Sequence, residues 1–251
     1  DLAGNLYFAD SENAKVRMIN PSGVISTVAG IGVMGLGGDG GAATAANLAI
    51  PKALAFDALG NLYISDTGGN RIRKVDSGGN ISTFAGIGMM GQSGGYSGDG
   101  GAATGAALYS PMGLAFDSQG NLYIAENDSS IIRRVGTNGV ISTFAGIPGI
   151  YGEVGDGGAA TAAQLNWPVD IAFDGAGNLL IADYQNKRIR MVDSSGIIST
   201  RAGDGSVSTG SLLYSTSTFQ PGTKIPIMPF ALALSPKGIT VFANLGQTGW
   251  G

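Results

Sequence analysis

The sequence contains no cysteine and no histidine among its 251 residues. Without cysteine there can be neither a disulfide nor a thiolate site. Without histidine, the commonest general base and the commonest zinc ligand are missing, so no Ser-His-Asp or Cys-His catalytic set can exist. A pair of carboxylates could still hydrolyse glycosidic bonds, but no spacing singles out such a pair. An enzyme is therefore disfavoured, and we expect neither a cofactor nor a metal centre.

Charge is also sparse, since only 13% of the residues are charged and the net charge is −4. A nucleic-acid-binding protein needs a basic stripe that neutralises phosphates, and none is visible. No run of about 18 apolar residues is present, so we expect no membrane span. Because the chain opens at Asp1 inside a repeat, we expect it to be a processed or excised segment.

Glycine, in contrast, is abundant, and its 44 residues recur between the short apolar runs of an internal repeat. Three full copies begin at a proline and end at a glycine: Pro51–Gly86, Pro111–Gly146 and Pro168–Gly203. The segment Gly4–Gly30 is the same unit without its first run. Repetition of this kind dictates the architecture of the whole chain.

Each copy contains four short runs typical of β-strands. In Pro51–Gly86 a mostly apolar run, A-L-A-F-D, leads into the turn D-x-x-G-N, and three further runs follow: N-L-Y-I-S-D, R-I-R-K-V and I-S-T-F-A-G. One such meander is too small to be stable alone. Meanders of this kind bury themselves by stacking radially, so the sequence predicts an all-β protein, a β-propeller of four-stranded antiparallel blades.

The repeat resembles a known family. The pattern P-x-x-L-A-F-D-x-x-G-N-L-Y-I-A-D, with R-I-R-x-V and G-x-I-S-T-x-A-G after it, resembles the NHL repeat over about residues 4–203. The intervening G-D-G-G-A-A-T-A-A-x-L-x-x-P is similar to the long linkers of NHL proteins that are bacterial and extracellular, and of teneurin-like receptors. The resemblance implies a propeller, often of six blades, that serves as a binding platform outside the cell. A minority of relatives are lyases that depend on histidine and metal.

The two chain ends predict how the propeller closes. Fourth strands end at Gly30, Gly86, Gly146 and Gly203, and Phe230–Leu234 supplies a further first strand. We therefore expect four complete repeats plus one composite blade, built from both termini, within residues 1–237. Residues 238–251 then contain one strand too many. The chain may be read as part of a six-bladed ring, as the donor of a strand to another molecule, or as the start of an immunoglobulin-like module.

A first set of carboxylates follows the second strand of each copy, at Asp10, Asp66, Glu126 and Asp183. A basic residue comes five positions later at Lys15, Arg71 and Arg188. The carboxylates could form a ring of ligands around the propeller mouth. Because the acid–base spacing recurs within each blade, we expect these residues to stabilise turns and to form ion pairs.

A second set of carboxylates lies in the GDGG segments of the linkers, at Asp39, Asp99 and Asp156. These are weak candidates for Ca²⁺ ligands, since calcium takes 6–8 oxygens and each segment offers a single carboxylate. A turn or a helix cap is the simpler interpretation. The A-A-T-A-A-x-L that follows could form one helical turn and direct Leu48, Leu108 and Leu165 towards the core.

The linkers themselves, Ile31–Ile50, Ile87–Ser110 and Ile147–Trp167, are the candidate binding surface. In a four-stranded blade, the loop after strand two and the linker after strand four lie on one face. The candidate binding residues are those that differ between otherwise similar linkers: Met34, Met89, Met90, Tyr96, Tyr151 and Glu153. They could equally pack over the blade edge, and Trp167 is expected to pack at the linker exit.

These observations favour a non-enzymatic propeller, extracellular or on the cell surface, whose linker face binds a protein or a glycan. The alternative is a structural subunit that joins copies of itself into a polymer or filament through the surplus C-terminal strand. Such a subunit should form particles far above 25.2 kDa on its own. A lyase or hydrolase is disfavoured by the missing catalytic residues.

Overall fold

The computed structural model describes residues 1, 3–91, 95–206, 227, 229–234 and 240–244. Over these residues the chain consists of β-strands and connecting turns, with five 3-10 helices of three residues each. The helices are Ser11–Asn13, Ala43–Ala45, Thr67–Gly69, Ala103–Gly105 and Ala160–Ala162. The protein is therefore all-β, as the repeat pattern predicts.

The strands of the described residues form five sheets, and within each sheet neighbours in sequence are neighbours in space. The first sheet has three strands: β1 (Leu6–Asp10), β2 (Lys15–Ile19) and β3 (Ile25–Ala29). The second has four: β4 (Pro51–Phe56), β5 (Leu62–Asp66), β6 (Arg71–Val75) and β7 (Ile81–Ala85). The third is β8 (Pro111–Phe116), β9 (Leu122–Glu126), β10 (Ile131–Val135) and β11 (Ile141–Ala145). The fourth is β12 (Pro168–Phe173), β13 (Leu179–Asp183), β14 (Arg188–Val192) and β15 (Ile198–Ala202). The last has two strands, β16 (Pro229–Leu234) and β17 (Thr240–Asn244).

The number of complete repeats therefore differs from the prediction. Three sheets in the described part of the chain have all four strands, whereas the sheet that ends at Gly30 has three because its first run is missing from the sequence. At the other end, β17 pairs with β16 as the second strand of a further unit. The composite blade, the division at residue 238 and the number of blades in the native ring stay predictions.

The tight turns form where the sequence predicts them because an aspartate organises each one. Asp57 accepts the N–H groups of Leu59 and Asn61 on one carboxylate oxygen and the Asn61 side-chain amide on the other. Gly60 completes the turn at φ +80°, a left-handed conformation that favours glycine. Asp117 and Asp174 make the same set of hydrogen bonds. These local bonds fix the register of the strands on either side.

The chain divides into two compact units, and the boundary runs through the third sheet. Unit 1 contains residues 1–129 and 133–143, and unit 2 contains residues 130–132 and 144–251. The predicted linker leucines enter the core: Leu48 and Leu108 belong to the two apolar clusters of unit 1, and Leu165 is fully buried in unit 2. Each follows one of the A-T-A or A-T-G 3-10 helices, so this prediction is confirmed.

Candidate functional site: the linker face

Each linker is fixed by backbone hydrogen bonds at both of its sides. In the first linker, the N–H groups of Gly30 and Ile31, which directly follow the preceding sheet, donate to the carbonyls of Ala43 and Ala46. Gly40 then donates to the carbonyl of Ile81, and Ile81 donates back to Gly41, at the start of β7 in the following sheet. The second linker repeats both sets of bonds, and the third repeats the bond from Gly146 to Ala160 and the pair of bonds between Gly157, Gly158 and Ile198. The GDGGAAT segment therefore ties each sheet to the next, and this explains why it recurs.

The linker aspartates form ion pairs with arginines that are fully buried. Asp39 lies 2.6 Å from Arg73, Asp99 lies 2.5 Å from Arg133, and Asp156 lies 2.7 Å from Arg190. The arginine is 34 residues after the aspartate in every case, on the third strand of the following sheet. All three arginine side chains are 0% exposed, which is unusual unless the charge is paired. These aspartates lie in turns, and none of them caps the 3-10 helix that follows; their carboxylates pair with the buried arginines instead.

The same arginines reach the carboxylates that follow the second strand. Glu126 lies 3.2 Å from Arg133, and Asp183 lies 3.5 Å from Arg190. Asp66 is farther from Arg73, at 3.9 Å, and it also pairs at 2.9 Å with Arg71. Asp10 pairs with Arg17 at 3.3 Å. In three of the four copies the carboxylate thus pairs with the arginine seven residues later in the sequence.

The predicted five-residue pairing is present between Asp66 and Arg71 but not in the other copies that the structure describes. Arg188 binds Glu153 of the preceding linker at 2.5 Å, and Asp10 binds Arg17 where Lys15 was expected. Residues five apart across the tight turn are directly opposed in the ladder, and the arginine two positions further on lies on the same face of the third strand, so the carboxylate can reach either one. In the fourth sheet Arg188 pairs with Glu153, which leaves Asp183 to Arg190.

These inner carboxylates also hold the end of the linker. Asp66 accepts the N–H of Ala49 at 2.5 Å, and Glu126 accepts the N–H of Tyr109 at 2.9 Å. Asp183 accepts the N–H of Asn166 at 2.8 Å. Each linker is therefore attached to the following sheet at two points, through its own aspartate and through its last residues. We call this arrangement of linker aspartate, buried arginine and inner carboxylate the arginine clamp.

In the clamps of Arg73 and Arg133 the pKa values of the two carboxylates shift in opposite directions, down for the linker aspartate and up for the inner carboxylate. Burial raises the pKa of Glu126 to about 7, although Arg133 and the N–H of Tyr109 oppose the rise. Burial raises the pKa of Asp183 to about 6 and also raises that of Asp66. Burial would raise the pKa of Asp99 as well, but hydrogen bonds from Tyr96 and Thr143 and the charge of Arg133 hold it below its usual value. One guanidinium thus lies between an ionised outer carboxylate and an inner one that takes up a proton more readily.

The outer surface of the linkers carries exposed apolar side chains, as the sequence predicts for a binding face. Met34, Met89, Met90 and Tyr151 are all at least one third exposed. Met89 shows that linker and turn share one surface, since its N–H donates to Gly69 and its carbonyl accepts from the Asn70 side chain. Six apolar residues that the sequence did not single out are exposed on the same linkers: Ile31, Val33, Ile50, Ile87, Ile150 and Val154.

Two of the six candidate binding residues are engaged within the chain. The Tyr96 hydroxyl contacts Asp99 at 2.8 Å and Thr143 at 3.0 Å, and its ring lies 4.8 Å from the Arg133 guanidinium. Glu153 is paired with Arg188. Both residues therefore support the linkers, and both are also exposed. Among the residues that the structure describes, no group of three or more carboxylates could hold a metal ion.

Comparisons with known proteins identify the repeat. The profile of the teneurin NHL domain matches residues 34–93, 89–152 and 145–241. The chain belongs to the teneurin NHL domain family. The resemblance to NHL repeats is thus confirmed. Teneurin-m of Drosophila melanogaster is 31% identical over 215 residues, which cover 76% of this chain and 8% of that protein.

Solved structures that resemble these NHL repeats are β-propellers, and the chain has that fold. The structure of a nidogen/laminin complex matches with a TM-score of 0.61 and 15% identity, over 97% of this chain and 68% of the other. A virginiamycin B lyase from Staphylococcus aureus matches with a TM-score of 0.58 and 15% identity, over 98% of this chain and 61% of the other. At these identities the likeness shows the fold alone.

The NHL chain spans only 6% to 10% of the length of the teneurins that it matches. The functions of a whole teneurin are therefore only proposals for this chain. No helix in the described ranges is long and apolar enough to cross a membrane.

Proposed function

We propose that this NHL propeller is a non-enzymatic binding platform, extracellular or on the cell surface, whose linker face holds a protein or glycan partner. The observation that carries the proposal is the combination of exposed apolar linkers with a rigid support. Each linker exposes methionine, valine, isoleucine or tyrosine side chains. Its backbone is nevertheless held to the preceding sheet by backbone hydrogen bonds and to the following sheet by the arginine clamp. Exposed apolar residues on a fixed scaffold are typical of interaction surfaces, because binding then costs little ordering entropy.

A matched set of variants tests the proposal. The linker variant replaces Met34, Met89 and Met90 by serine, and the control replaces Val24 and Leu59 by serine. The two control residues are 59% and 83% exposed and belong to the turns of other strand pairs, away from the linkers. Each purified chain is applied to arrays of extracellular proteins and of glycans.

We expect the wild-type chain and the control variant to bind the same partner, and we expect the linker variant to lose at least tenfold in affinity. Equal loss in both variants, or no partner for the wild type, would contradict the proposal. Light scattering of the same samples separates the alternative function. Particles far above 25.2 kDa for the isolated wild type would favour the self-assembling subunit.

A further inference from the structure

Three aromatic residues lie at one end of unit 2, outside the exposed linker residues described above. Trp167 is the last residue of its linker, directly before β12, and Tyr184 directly follows β13. Their backbones are opposed: Pro168 faces Asp183 in the ladder, and one step beyond, the N–H of Gln185 donates to the carbonyl of Asn166 at 3.1 Å. Trp167 and Tyr184 lie between these two contacts.

The third aromatic residue comes from the C-terminal sheet of the same unit. Phe230, the second residue of β16, meets the ring of Tyr184 edge-on, with 6.3 Å between the centroids and 78° between the planes. β16 is held beside β12 because Asp170 accepts the N–H of Leu232 at 2.7 Å. Trp167 is 41% exposed and Phe230 is 43% exposed. Trp167 thus buries more than half of its surface at the linker exit, and two large aromatic side chains are partly exposed to solvent at this end of unit 2.

The fold does not require aromatic residues at these three positions. Where unit 2 has Trp167, Tyr184 and, on the following sheet, Phe230, the second sheet has Ile50, Thr67 and Met112, and the third has Ser110, Asn127 and Val169. The backbone is nevertheless the same, since the residue before the proline has a φ of 54° at Ile50, 48° at Ser110 and 54° at Trp167. A bulky side chain is thus held at a strained backbone position that a serine also occupies. The exposed parts of Trp167 and Phe230 are available for a ligand.

The charges near this end neutralise one another. The hydrogen bond and the charge of Arg188 hold the pKa of Glu153 below its usual value, with smaller help from Arg190 and Lys187. The carboxylate of Asp183 accepts from Asn186 and Arg190 and is buried. Apart from the half-buried Lys187, what remains at the surface is aromatic rings and carboxamides, with Gln185 exposed and Asn166 half-buried. This composition disfavours an ionic ligand.

We propose that the aromatic end of unit 2, formed by Trp167, Tyr184 and Phe230, is a subsite for a neutral glycan. A pyranose ring has an apolar C–H face that stacks on an aromatic side chain, and hydroxyl groups at its edge that suit carboxamides such as that of Gln185. Three rings at one strand end have the size of one or two sugar units, well below the area of about 800 Å² per partner that a stable protein interface needs. The inference rests on the proposed binding function and names the glycan as the ligand.

The test uses substitutions that the fold already accepts in its other repeats. Trp167→Ile and Tyr184→Thr introduce the residues of the second sheet at the same positions, Ile50 and Thr67. Ile50→Ala serves as the control, because it alters the equivalent exposed position in unit 1. Neutral hexose and N-acetylhexosamine oligosaccharides, and sulfated ones for comparison, are titrated into each full-length chain by calorimetry, and melting temperatures are measured alongside.

We expect a neutral oligosaccharide to bind the wild type and Ile50→Ala equally. Trp167→Ile and Tyr184→Thr should each weaken binding by about tenfold or more, with melting temperatures unchanged. Saturation transfer from the aromatic protons should mark the C–H face of the sugar. Binding that survives both substitutions, binding of sulfated glycans alone, or no glycan binding at millimolar concentration would overturn the inference. If the linker variant with serine at positions 34, 89 and 90 still loses a protein partner, the proposed function stands without the glycan subsite.

Discussion

The arginine clamp of the third sheet makes a quantitative prediction for Arg133→Met. Arg133 is fully buried between Glu126, at 3.2 Å, and Asp99, at 2.5 Å. Methionine fills a similar volume but removes the cation, so the buried Glu126 keeps hydrogen bonds only from Tyr109 and Ser129. Breaking a buried pair by removing one partner costs about 3–5 kcal/mol, and Asp99 keeps only its hydrogen bonds to Tyr96 and Thr143. We expect the free energy of unfolding at pH 8 to fall by about this amount.

The loss should depend on pH, because Glu126 can respond to it. Burial already raises the pKa of Glu126 to about 7, and without Arg133 the carboxyl group should be neutral well above that pH. At pH 5 the carboxyl group is protonated in the folded protein, so the loss should be smaller than at pH 8. Glu126→Gln in the Arg133→Met background should restore part of the stability at pH 8, since glutamine is neutral without taking up a proton on folding.

Urea denaturation of the four chains at pH 5 and pH 8 measures these differences. The control is Arg134→Met, the neighbouring and partly exposed arginine on the opposite face of β10, for which we expect a loss of at most about 1 kcal/mol. The reasoning is refuted if Arg133→Met costs no more than Arg134→Met. It is also refuted if the loss is the same at both pH values, because the charge of Glu126 would then not be its cause.

Two further predictions concern the wild-type chain and a linker glycine. The folded chain keeps a proton on Glu126 up to about pH 7, whereas the unfolded chain loses it near the ordinary pKa of 4.5. Stability should therefore fall as the pH rises from 4.5 to 7, by roughly 3 kcal/mol, and Glu126→Gln should flatten this slope in urea titrations; a rising slope would contradict the assignment. Gly98→Ala should lower the melting temperature far more than Gly100→Ala. Both glycines have positive φ, but the new Cβ at 98 would lie 2.6 Å from the Cα of Ala106, and at 100 it would meet no atom within 4 Å. Equal melting temperatures for the two variants would show that the close approach does not matter.

The amino-acid sequence by itself determined the local structure of each repeat. An aspartate two and four residues before the amides that it binds, with a glycine at positive φ between them, specifies the turn at Asp57 without help from the rest of the chain. Alternation over five residues specifies the strands, and the recurrence of the pattern specifies the family. The leucines of the linkers could be placed in the core because they recur after a small-residue helical turn.

Tertiary structure alone decided which charges are buried and which apolar groups are exposed. The recurring arginines Arg73, Arg133 and Arg190 are visible in R-I-R-K-V, I-I-R-R-V and R-I-R-M-V, but alternation assigned them to a half-exposed face. They are fully buried because a linker aspartate 34 residues earlier folds over them, and such a distance has no local signature. Trp167 shows the reverse. An aromatic residue before a proline predicts packing, yet 41% of Trp167 is exposed in the folded chain. Distant segments come into contact only when the sheets have formed. A local periodic pattern therefore does not show which distant residues will pair.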